Sequence, residues 1–247
     1  LAAYRWWEHP DVRRAALLGV AIGLAALTRG EALFLYPLLV VPLAVMRSGL
    51  GWGARIRAVA VVGLVGVVMF TPWTVRNLRA FDTFVPLSTN GDEVLYYANC
   101  PDSYHGPLLG YWSFNCQVRE REATGEPPGN EAEKARYWRA LGIEYARDNA
   151  ERIPTVVAAR VLREVDLFRP GQNIVLLRVE GRPTGASRVG QWAWWVMAPV
   201  GVAGLVLLRR RHVLVWPLVA AGLMVLVTTV YAYGAIRFRT PLEVALL

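Results

Sequence analysis

Arg29 lies in the tetrapeptide Thr28-Arg29-Gly30-Glu31, between two apolar runs: Ala15 to Thr28, with 14 uncharged residues, and Ala32 to Met46, with 15. Arg237 and Arg239 stand together in IRFRTPLE, at the edge of another apolar run, and Arg76 directly follows a third. A guanidinium carries permanent charge and a planar fork of N–H donors, so it grips phosphate oxygens bidentately. At headgroup depth the chemistry on offer is binding of a lipid phosphate, with positive charge placed where negative charge develops. The plainer alternative is that these arginines snorkel to ordinary headgroups or pair with Glu31 and Glu243. For Arg29, beside Glu31 in a turn of minimal length, the binding role is favoured.

Other reactive signatures are absent from the sequence. There is no phosphate-binding P-loop, no dinucleotide fingerprint, no GxSxG elbow and no HExxH pair. His9, His105 and His212 are isolated, no metal-ligand spacing recurs, and no metal site or cofactor is expected; the sequence is silent on a divalent-metal requirement.

The elements that must position the arginines are apolar. Ala58 to Val75 has 18 uncharged residues, Val189 to Leu208 has 20 and Val213 to Ile236 has 24. A helix needs about 20 apolar residues to cross a hydrocarbon core of ~30 Å, so each run is a candidate span. With 55% hydrophobic residues and a mean hydropathy of +0.31, the expected class is a mostly α, polytopic transmembrane helix bundle. The net charge of +8 is spread in a membrane pattern. Residues 76 to 188 hold 15 basic and 15 acidic side chains, so the excess comes from arginines in the membrane-associated parts. That distribution argues against a nucleic-acid partner.

Arginine placement also sets an orientation. Arg5, Arg13 and Arg14, then Arg47, Arg55 and Arg57, then Arg209, Arg210 and Arg211 all fall on one side of an alternating chain, which is read as cytoplasmic. The TRGE turn, residues 76–189 and the link at Ile236 to Thr240 then lie outside. The expected layout is a cytoplasmic segment at 1–14, membrane helices at 15–75, an extracytoplasmic domain at 76–189 and further membrane helices at 190–247. The last of these begins at the capping box Thr240-Pro241-Leu242-Glu243 and is read as truncated. The first two runs read as a tight hairpin, because one continuous helix would set Arg29 at mid-membrane at a cost of roughly 2.5–3.5 kcal/mol. Pro37 and Pro42 predict a bend in its second arm.

The outer domain is expected to be small and mixed α/β. VPLSTNGDEVLYYANC shows strand-like alternation broken by Asn90-Gly91, a turn signal. Asn130-Glu131-Ala132-Glu133 predicts a helix start, with Ala135, Trp138, Leu141, Gly142 and Tyr145 on one face. A second helix is predicted from Pro154, with Val157, Val161, Val165 and Phe168 as its packing stripe. Cys100 and Cys116, the only cysteines, read most simply as a disulfide outside the cytoplasm, against the alternative of two buried thiols.

Three stretches, GLAALTRGEALFLYPLL, FTPWTVRNLRAFDTFVPLSTNG and AIRFRTPLE, resemble bacterial GT-C glycosyltransferases of the family 39 type. That group is related to protein O-mannosyltransferases and the lipid A aminoarabinose transferase. The resemblance implies an integral-membrane enzyme that moves a sugar from a polyprenyl-phosphate carrier to a glycan, lipid or protein acceptor on the outer face. It gives Arg29, Arg237 and Arg239 the carrier phosphate and has the outer domain, with Asn90, Gly91 and Asn99, roof the site and shape the acceptor channel; Glu31 and Arg76 are candidates for support from their positions alone. Many relatives have lysine in place of arginine in TRG, so charge is kept while hydrogen-bond geometry is not. The acidic residues of such enzymes lie in a first outer loop that has no counterpart here. These residues would match the middle and C-terminal part, and alone they are expected to be inactive. Two rivals remain: a transporter or flippase of lipid-linked glycans, and a non-catalytic membrane assembly protein whose outer domain binds a partner.

Overall fold

The computed structural model describes residues 1–246, which form two compact units. The first comprises residues 1–88 and 202–224, and the second residues 89–201 and 225–245.

In the first unit, α1 (Ala2–Glu8) leads to α2 (Val12–Thr28), whose N-terminus is capped by the Asp11 carboxylate accepting the Arg14 N–H at 2.8 Å. Arg29 is extended, ending α2, and the second apolar run follows as a 3-10 turn (Gly30–Phe34), a π turn (Tyr36–Val40) and α3 (Val41–Met46). The predicted bend is therefore a change of helix type. Pro42 has no N–H to give the carbonyl one turn back, and the Trp216 indole donates to that Leu38 oxygen at 3.0 Å. Both arms share one core with Ala15, Leu18 and Ile22 against Leu39, Val40 and Leu43. Helix α4 (Trp52–Phe81) closes on α2 where Gly19 faces it; a Cβ there would lie 2.9 Å from Val65 Cβ.

The second unit begins with α5 (Asn90–Ala98) and the short α6 (Pro101–Tyr104), followed by α7 (Phe114–Thr124) and α8 (Glu131–Asp148). Then come α9 (Ile153–Glu164), α10 (Pro170–Val179) and α11 (Thr184–Arg210). Helix α12 (Trp216–Tyr231), a 3-10 turn (Ile236–Phe238) and α13 (Thr240–Leu246) complete the chain. Asn130 caps α8 by a reciprocal box with Glu133. Ala135, Trp138 and Gly142 are buried on its inner face. Cys100 and Cys116 are joined as a disulfide, packed with Tyr96, Tyr97 and Trp138.

Two expectations are corrected. No strand occurs among the described residues, so residues 76–189 are helical, not mixed α/β. Asn90-Gly91 is not a hairpin turn but the first turn of α5, with Asp92 and Glu93 at its positive end. The alternation read as a strand is also compatible with a helix that buries only its last turn, Tyr96, Tyr97 and Ala98. Second, a polytopic bundle of five crossings is not what the helices provide. Two, Trp52–Phe81 and Thr184–Arg210, are long and apolar enough to cross a membrane. Gly30–Met46 and Trp216–Tyr231 are shorter apolar segments.

Candidate functional site

In the first unit the TRGE turn holds its charges together. The Arg29 guanidinium pairs with the Glu31 carboxylate, and its side chain is 42% exposed while that of Glu31 is 17% exposed. The partly covered carboxylate thus steers a guanidinium that still faces outward. The Arg29 N–H closes α2 on the Ala25 carbonyl at 2.8 Å, which fixes where the side chain leaves the backbone.

Arg76 lies on the last turns of α4 over the Trp73 ring, 5.1 Å from its centre, and donates to Asn77 Oδ1 at 3.1 Å. Its neighbours explain the PWTVRN wording. Trp73 Nε1 donates to the Leu87 carbonyl at 2.5 Å, and Thr74 Oγ1 to that of Pro86 at 2.9 Å. Buried Asn77 Nδ2 donates to the carbonyls of Val85 and Leu87 at 3.1 and 3.2 Å. One helix face thus satisfies three successive carbonyls of the bent, non-helical segment that follows it.

In the second unit the link after α12 divides its two arginines. Arg239 is 3% exposed on its side chain. It donates to Asp166 Oδ2 at 3.0 Å, to the Glu164 carbonyl at 3.1 Å and to Glu243 Oε1 at 2.7 Å, and stacks 4.1 Å from the Trp194 ring centre. Its charge is answered inside the protein. Arg237, 38% exposed, pairs with Glu180 at 3.5 Å and donates to the Tyr233 hydroxyl at 2.8 Å. Glu180 also accepts from the Tyr111 hydroxyl at 2.9 Å, and these three groups line a small hollow with Asn173, Leu176 and Ile236. Burial alone would lower the Arg237 pKa, but Tyr233 and Glu180 outweigh it and raise it, so the cation is secure. Burial, then the Glu180 charge, raises that of Tyr111, which stays a neutral donor.

Asn90 opens α5, whereas buried Asn99 is a structural node. Its Oδ1 accepts from Tyr104 at 3.0 Å and from Arg160 at 3.1 Å. Arg160 also reaches the carbonyls of Ala98 and Val230, at 2.5 and 2.8 Å, tying α9 to α5 and α12.

Sequence reading missed the buried charged face of α9 and its C-terminal corner. Arg160, Arg163, Glu164 and Asp166 are all inside, while the predicted stripe of Val157, Val161, Val165 and Phe168 is only half-buried. Arg163 donates to the carbonyls of Leu109 and Pro107 and to the side-chain oxygens of Asn173 and Gln172, all within 2.9 Å. Asp166, in the left-handed region at φ 59°, accepts from Asn173, Gln191 and Arg239. Glu164 Oε2 accepts the Ala235 N–H at 3.0 Å. Burial pushes the Glu164 carboxyl up to about 8, even though the Ala235 amide and the Arg239 guanidinium favour its anion. The one available signal was spacing: Arg160, Arg163, Glu164 and Asp166 recur on one side of a helix whose other side is also apolar.

The arrangement therefore offers two partly open guanidinium sites, Arg29–Glu31 and Arg237–Glu180, and one closed ionic cluster at Arg239. No family model, no curated protein and no solved structure matches the chain.

Proposed function

We propose that this chain acts in an integral-membrane glycosyltransferase. It would transfer a sugar from a polyprenyl-phosphate-linked donor to a glycan, lipid or protein acceptor at the outer face of the plasma membrane. The reading rests on the three resembling stretches. The observation that carries it is Arg29: a guanidinium held by Glu31 at the junction of two apolar runs, with its side chain still 42% exposed. A leaving phosphate needs such a charge, and a fork held in place beforehand loses little freedom on binding. Arg237 keeps the phosphate role that the resemblance gives it, because its guanidinium is half open. Arg239 becomes a positioning residue for the link that carries Arg237. The chain crosses the membrane more than once in this proposal, with residues 76–189 outside. A membrane-impermeant thiol reagent should then reach a cysteine placed near Gly125 in intact cells, and one near Gly51 only after permeabilisation.

Arg29 substitutions in the intact protein test the phosphate role. Arg29→Ala should abolish most donor binding while thermal stability stays near wild type, and Arg29→Lys should retain part of it, since a point charge remains without the fork. Glu31→Gln should be milder. Normal donor binding by a well-folded Arg29→Ala protein overturns the assignment.

A further inference from the structure

Helix α11 carries its own depth gauge. Arg188 and Arg209 bracket the 20 uncharged residues Val189 to Leu208. At ~1.5 Å per residue these span about 30 Å, the thickness of a hydrocarbon core. Val189, Trp192, Val196 and Val200 form an exposed stripe down the first half of this helix, with Trp192 65% exposed. The corner between α9 and α10 is bonded to the same turns: Gln191 Nε2 donates to the Pro170 carbonyl at 3.1 Å, and Trp194 Nε1 to the Val165 carbonyl at 3.0 Å. Gln191 and Trp194 lie in the first two turns of the uncharged run, and helical side chains lean toward the N-terminus, so the corner sits beside the outer end of that run.

We propose that the Val165–Pro170 corner is seated in the interfacial layer of the lipid bilayer, with Leu167 inserted among the lipids as its anchor. Irregular backbone is costly at that depth unless its polar groups are satisfied within the protein, and here most of them are. The N–H groups of Leu167 and Phe168 both reach the Leu162 carbonyl, at 2.7 and 3.0 Å, and that of Asp166 reaches the Arg163 carbonyl at 3.0 Å. The Arg169 carbonyl accepts the Asn173 N–H at 3.1 Å, and the carbonyls of Val165 and Pro170 take the α11 side chains. Asp166 is fully buried, and Arg169, although exposed, is held along the protein by donating to the carbonyls of Gly106 and Pro107 at 2.9 and 2.6 Å. Leu167, 65% exposed, is the apolar side chain that the corner turns outward, beside the tethered Arg169. A solitary exposed leucine needs no explanation. One at the tip of a corner with most of its backbone polar groups internally bonded, beside the turns of a span-length helix that carry an exposed tryptophan, fits the boundary between headgroups and acyl chains. The seat also places the Glu164, Asp166 and Arg239 cluster at the membrane surface.

The test uses nitroxide-labelled Leu167→Cys in the intact protein, reconstituted in phosphatidylcholine–phosphatidylglycerol vesicles with the native disulfide oxidised. Val200→Cys serves as a lipid reference and Glu122→Cys as a water reference. Power-saturation spectra compare collision with oxygen, which concentrates in lipid, and with a water-soluble nickel chelate. The oxygen-to-nickel ratio at 167 should exceed that at 122 several-fold and approach the value at 200. A water-like ratio at 167 with a lipid-like ratio at 200 overturns the seat. So does an immobile label shielded from both reagents, which marks a protein partner on Leu167. A water-like ratio at 200 overturns the depth gauge itself.

Discussion

Glu164 shows how burial rather than identity sets the behaviour of a side chain. Its carboxyl is enclosed by Ala235, Thr229, Asp166 and Arg239, with Glu243 on the far side of that arginine, and burial raises its pKa to about 8. A carboxyl that holds its proton more tightly when folded contributes stability at low pH. That contribution is lost as pH rises from its unfolded value, near 4.5, through about 8. Thermal melts from pH 4 to pH 9 should therefore show wild-type stability falling across this window. Glu164→Gln, neutral throughout, should remove that slope; an unchanged slope would place the titration elsewhere. Removing Asp166 leaves a buried guanidinium short of one partner. Asp166→Ala should cost near the low end of roughly 3–5 kcal/mol, since Glu243 still faces Arg239. Chemical denaturation measures it, and a change below about 0.5 kcal/mol would mean the ion pair contributes nothing.

At the scale of elements, the end of α4 acts as a clamp for the non-helical chain that follows it. Asn77→Leu withdraws two donors from the carbonyls of Val85 and Leu87 and should cost about 1–3 kcal/mol. Limited proteolysis should show faster cutting between Asp82 and Ser88, and an unchanged cutting rate would contradict the clamp. Helix starts with a local chemical signature were legible in the sequence, because their cause is local: Asn130 with Glu133 at α8 and Pro154 in the first turn of α9. Asn90-Gly91 was misread because a turn signal and the first turn of a helix use the same small polar residues. The buried face of α9 was hidden for a different reason. Arg160 and Arg163 are accepted inside by oxygens contributed from Ala98, Leu109 and Val230, and sequence spacing does not reveal contacts so far apart in the chain. The arginines of the site were legible as residues, but their exposure was not. Arg237 and Arg239 read alike, yet Asp166, Trp194 and Glu243 close one of them off.

At the scale of the whole molecule, apolar length is the feature that points to a membrane. Two helices have the length and composition to cross a membrane, and accessible guanidinium groups remain at the ends of apolar runs. The proposed transfer uses those charges to hold a carrier phosphate while the sugar leaves it. A transporter of the same lipid-linked glycan would bind the same phosphate, so binding alone does not distinguish the two. The decisive measurement follows a radiolabelled polyprenyl-phosphate sugar offered to the intact protein in sealed vesicles supplied with cell-envelope acceptors. The account predicts that label appears covalently on acceptor, with free polyprenyl phosphate released in equal amount, and that Arg29→Ala lowers both together. Label that crosses to the other face still attached to its carrier, with none on acceptor, would contradict it.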